Sequence, residues 1–202
     1  MSLMPEFLDA VAAAAARLPG PRNVPWPMPG RLDAIVPFAT FAEWQSSILD
    51  LDLRPGIPEI VTAKYKRALK LHLLAWIDLD IIKAGEMVAL ATLELALKDC
   101  YGDKVRDKRG NISFGRTLRY MVEHDGLTDD KMPMHRRCGG GSVVSRLTGK
   151  TKPSLADIRN DLAHGYPFDG LPWSGALELV RDLIEYAYRG VIAEYAAGWI
   201  LI

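Results

Sequence analysis

An arginine and a histidine five positions apart are the residues of this chain best suited to carry chemistry. They stand in Arg159-Asn160-Asp161-Leu162-Ala163-His164-Gly165-Tyr166. Arginine is a permanent cation whose planar fork of donors matches a phosphate. Imidazole exchanges a proton near neutral pH. On a helix, five residues turn the side chains by roughly 140°, yet a long Arg reaches round most easily near a fraying end. Asn160 and His164 stand at i, i+4 and share a face directly. The pattern predicts a short helix over 155–164, which puts His164 at its C-terminal end. There the helix dipole favours the protonated ring. Clamping phosphate and moving protons without a metal is the chemistry of RNA strand cleavage, in which the 2′-hydroxyl attacks the adjacent phosphorus.

Other clusters carry less. Gly149-Lys150-Thr151 looks like the end of a phosphate-binding P-loop, but that loop needs a glycine at 144, where this chain has Val144. His124, His135 and Cys138 match no common zinc spacing and lack a fourth ligand, so no metal and no cofactor is expected. His72 lies in an apolar helical run and reads as a helix-surface or core histidine. The Trp and Tyr residues show no regular interleaving with Arg and read as core. Glu94 sits in an apolar helical stretch, where an unpaired carboxylate is costly. It either orients Arg159 or His164 or faces solvent.

The Arg159–His164 stretch resembles the motif of HEPN domains, the higher-eukaryote and prokaryote nucleotide-binding family. That motif is an Arg, four to six residues, then a His, usually with a polar residue directly after the Arg. Here these are Arg159, Asn160 and His164, and Tyr166 fits the extended form Arg-x4-His-x-Tyr. The Ala- and Leu-rich helix 89–97 before the motif and the amphipathic helix after it agree with the family pattern. The resemblance spans about residues 58–200. It implies an all-α bundle of four to five helices and a homodimer that joins two copies of the motif. It also implies a metal-independent endoribonuclease, in a toxin–antitoxin or phage-defence setting. Tyr166 would be the residue modified by a nucleotidyltransferase antitoxin. The alternative within the family is an inactive module that binds a nucleotide or a partner protein.

Charge fits a polyanionic partner locally rather than globally. Lys plus Arg and Asp plus Glu are equal at 25 each, but residues 104–152 hold twelve Lys/Arg and five acids. A basic stretch of this kind suits RNA or a nucleotide. Arg136, Arg137, Arg146 and Lys150 are its candidate backbone-binding residues. The opposite reading is a set of solvated charged loops.

The elements that must position these residues follow from punctuation and periodicity. The chain of 202 residues is 49% apolar and 25% charged, which excludes a disordered chain, a collagen and a disulfide scaffold. Two cysteines point to a reducing cytosol, and residues 1–17 lack the basic start of a secretory signal. No uncharged apolar run reaches transmembrane length. Residues 1–55 are expected as a short Ala-rich helix and a Pro-rich arm. Six of the thirteen prolines fall within 19–37, and Trp26 and Met28 are placed to pin the arm down. Residues 56–202 are the expected helical domain. Its helices are predicted over 59–77, 79–101 (ended by Gly102), 114–123, 155–164 (ended by Gly165) and 173–198. Residues 127–153 read as an irregular basic loop, and no strand pattern of useful length is apparent.

Overall fold

The computed structural model describes residues 4–165 and 172–198. Its element order is α1 (Pro5–Ala15), β1 (Arg22–Met28), β2 (Arg31–Phe38), α2 (Phe41–Leu49), α3 (Glu59–Leu74) and α4 (Ile81–Val105). Then come α5 (Phe114–Glu123), α6 (Pro133–Cys138), α7 (Val143–Thr148), α8 (Leu155–His164), α9 (Ala176–Ala187) and α10 (Arg189–Ala196). A single 3-10 turn, Asp129–Lys131, precedes α6. The expected all-α bundle of four to five helices is therefore corrected. Among the described residues there are ten α-helices and an antiparallel β-hairpin.

The hairpin lies where the prolines crowd. A two-stranded sheet has only edges, so its prolines need not donate to a further strand. Arg22 pairs with Phe38, Val24 with Val36 and Trp26 with Ala34, and a bulge falls between Trp26 and Met28. Gly30 turns the chain at φ +73°. One face of β2 carries Ala34 and Phe38 into the core. Trp26, Phe38 and Trp44 meet edge to face, with centroids 5.0–5.6 Å apart. Trp44 also donates its indole N–H to the His72 carbonyl at 2.7 Å. Trp26 thus anchors the arm, whereas Met28 is exposed. Val24, Phe38 and Trp44 share one hydrophobic cluster with the helices that follow.

Helix α4 is central, packing against α3, α5, α8 and α9. Its Gly85 permits a close crossing with α3, since an added Cβ would lie 2.5 Å from His72 Nδ1. Gly102 does not end the helix. It is buried within it, and Ile112 comes within 3.0 Å of where its Cβ would stand. Residues 127–153, expected as an irregular loop, instead hold α6 and α7. The last predicted helix is split at Tyr188 into α9 and α10. Helix α9 carries Glu178 and Asp182 into the interior, where Arg181 reaches both, Arg137 pairs with Glu178, and the Met134 N–H donates to Asp182 at 2.8 Å.

Candidate functional site

Helix α8 forms where the sequence places it. Ser154 Oγ accepts from the Asp157 N–H at 3.1 Å, and Asp157 accepts from the Ser154 N–H at 2.9 Å. This reciprocal box satisfies two donors of the first turn. Lys152 adds a hydrogen bond at 2.7 Å. The Lys152 ammonium, together with the Ser154 N–H, pulls the Asp157 carboxyl down to about 2. At the other end Gly165 adopts φ +68°, the left-handed cap that glycine enters without strain. Leu155, Ile158 and Leu162 face the core. That stripe turns Asn160, Asp161 and His164 to solvent and leaves Arg159 half-buried.

Arg159 is held from α4. One terminal nitrogen of its guanidinium donates to Glu94, and the other donates to Asn160 Oδ1 at 3.1 Å. Glu94 accepts a second ion pair from Lys98 at 2.8 Å. Partial burial opposes charge on Glu94. The hydrogen bond from Lys98 and the Arg159 guanidinium outweigh it and hold the carboxyl below the usual range. Among the described residues Glu94 thus pairs with Arg159 and Lys98. A guanidinium has five N–H donors. Among the described residues its donors engage Glu94 and Asn160, and the side chain is 30% exposed. Asn160 touches Arg159 rather than His164. His164, at the carbonyl end of α8, is exposed. Tyr166 lies outside the described residues.

Of the four residues chosen from the basic stretch, Arg136, Arg137 and Lys150 are exposed and Arg146 is partly buried, and two of them are engaged within the fold. Arg137 donates to the Pro27 carbonyl at 3.0 Å and pairs with Glu178, tying the hairpin to α9. Arg146 stacks on Trp173, its guanidinium carbon 4.5 Å from the ring centroid, and donates to the Pro153 carbonyl at 3.2 Å. Burial draws it below the usual arginine range. Arg136 and Lys150 are exposed. Lys98 went unnoticed in the sequence, although its i, i+4 spacing to Glu94 makes the pair legible. The charged loop 103–113, with its Gly110-Asn111 turn, is legible in the sequence.

Among the described residues no three His, Cys, Asp or Glu side chains group as a metal site, and no helix is long and apolar enough to cross a membrane. Comparison with family profiles, curated proteins and solved structures gives no match for this chain.

Proposed function

We propose that this chain is a metal-independent endoribonuclease whose working residues are Arg159 and His164, with Asn160 and Glu94 positioning the arginine. The observation that carries this reading is the state of Arg159. It is paired with Glu94, its other contact among the described residues is Asn160, and it shares with His164 a short helix whose outer face is open to solvent. Arg159 clamps the scissile phosphate and balances the charge that grows on it in the transition state. His164 serves the proton transfer. The 2′-oxygen loses its proton and bonds to phosphorus, the bond to the 5′-oxygen breaks, and that oxygen takes up a proton. In a homodimer, two copies of His164 divide the base and acid roles.

The products are then a 2′,3′-cyclic phosphate and a 5′-hydroxyl. End-group mapping of cleaved RNA in EDTA tests this, beside an RNA with one 2′-deoxy nucleotide at the cleaved position. Cyclic ends, and no cut at the deoxy position, are expected. Cleavage at the deoxy position removes the mechanism. The second reading is a non-catalytic module binding RNA or a nucleotide. The Arg159–Glu94 pair favours it, because the same pair is also a structural tie between α8 and α4. In either reading, modification of Tyr166 by a nucleotidyltransferase partner would place bulk two residues from His164. A toxin–antitoxin or defence role in the cytoplasm belongs to this proposal.

A further inference from the structure

Between α4 and α5 the chain makes a shallow, open cationic hollow of about 560 Å³, lined by Arg106, Asp107, Lys108, Arg109, Asn111 and Arg116. Its one acid is spent on the loop itself. Asp107 accepts the backbone N–H groups of Arg109 and Asn111, each at 2.8 Å, and its own N–H donates to the Asn111 carbonyl at 3.0 Å. These bonds, led by the Asn111 N–H, hold the Asp107 carboxyl below its usual range. Arg116 remains 3.9 Å from it. Arg106 is tied to Asp103 and the Gly110 carbonyl. Lys108 and Arg109 are exposed, and neither side chain has a hydrogen bond or ion pair among the described residues. With Asp107 committed to the loop and Arg106 to Asp103, the cations left over, Lys108, Arg109 and Arg116, favour a polyanion over a lone carboxylate.

Two neighbours decide what kind of polyanion fits. Arg116, Tyr120 and His124 stand at i, i+4 and i+8, along one side of α5 and at its end. The Tyr120 ring is packed between Tyr101 and His124, with centroids 5.4 and 5.0 Å away, and Lys104 lies over it, so the exposed His124 is the outer ring of the stack. Phosphate-binding cations beside an exposed ring at the end of an aromatic stack are the parts of a single-strand platform, where bases stack without sequence preference. On the other side, Gly115 abuts α8, and an added Cβ would lie 3.7 Å from Ala156 Cβ. Arg159 is one helical step beyond Ala156, roughly 4.5 Å along the axis. Helix α5, which carries Arg116, thus packs against the first turn of the helix that bears Arg159 and His164.

We propose that the loop 106–113, with Arg116, Tyr120 and His124, holds the backbone and bases of single-stranded RNA and delivers the strand to α8. This rests on the reading of α8 as an RNA-acting site. Within the basic stretch 104–152, it centres the RNA-holding surface on residues 106–124.

The test is binding of a fluorescent 2′-O-methyl oligouridine, which cannot be cut, to the full chain over a range of salt. The comparison is Lys108→Gln/Arg109→Gln/Arg116→Gln against an exposed control outside the basic stretch, Arg31→Gln/Arg67→Gln. Each single-strand phosphate contact contributes about 0.7 to the slope of log affinity against log salt. The triple variant should lower that slope by about 2 and weaken binding at least tenfold at low salt, while the control stays within twofold of wild type. Matching far-ultraviolet circular dichroism and melting curves show that the exposed changes leave the fold intact. Unchanged binding by the triple variant overturns the proposal and leaves the nuclease reading standing. Binding lost in the triple variant, with no cleavage of ordinary RNA by wild type, supports the proposal and sinks the nuclease reading. No binding by wild type, equal affinity for an RNA duplex, or equal competition by polyglutamate each overturns it.

Discussion

Replacing Glu94 should reveal how firmly Arg159 is held. The perturbation is a cycle of Glu94→Gln, Arg159→Ala and the double variant. The Glu94 side chain is 13% exposed and that of Arg159 is 30% exposed. The pair therefore falls between surface pairs, worth about 0.2–1 kcal/mol, and buried ones, where breaking one partner costs about 3–5 kcal/mol. A coupling of about 1–2 kcal/mol follows. The two single variants should differ. Arg159→Ala leaves Glu94 paired with Lys98 at 2.8 Å, whereas Glu94→Gln strands two cations. Glu94→Gln should thus cost more. Urea unfolding of all four proteins at pH 7 measures the coupling directly. It should shrink in acid. Glu94's folded pKa is lowered, so its contribution is present above the ordinary carboxylate range and is lost as pH falls through the depressed one. Additive single effects, to within about 0.3 kcal/mol, would refute the claim that Glu94 positions Arg159.

Two other perturbations probe the frame. Burial pushes the His72 imidazole down to about 4 from 6.5. The unfolded chain takes up this proton first, so stability is full above pH 6.5 and declines as pH falls toward 4. The loss is about 3 kcal/mol, and it should be reduced in a His72→Gln variant compared by pH-dependent urea unfolding. Ser154→Ala removes the capping oxygen of α8 and should cost about 1 kcal/mol, read as a melting point lower by about 2–4 °C. A variant that melts with wild type would show that the cap does not hold α8.

The helices that carry the site were legible because their signals are local. Phe114–Glu123 and Leu155–His164 appear where apolar spacing, the Ser154–Asp157 box and Gly165 put them. The hairpin was hidden by Pro25, Pro27 and Pro37, which argue against strands in general but not against an isolated pair of edges. The alternation of Leu32, Ala34, Val36 and Phe38 was present beneath them. Gly102 has a cap's position, at the end of an apolar run. Its actual role, letting Ile112 approach α4, depends on a contact ten residues away. The same holds for Arg137 and Arg146. Their charge is visible in the sequence, but their commitment to Glu178 and Trp173 is set by tertiary packing.

Incubating RNA in EDTA with wild type, Arg159→Ala and His164→Ala bears most directly on the central claim. Both side chains are at least partly exposed, so neither replacement should unfold the chain. Wild type should cleave, and each variant should lose at least about a hundredfold, the scale expected for a proton-transfer group or a charge-stabilising donor. Cleavage retained in His164→Ala would contradict the claim.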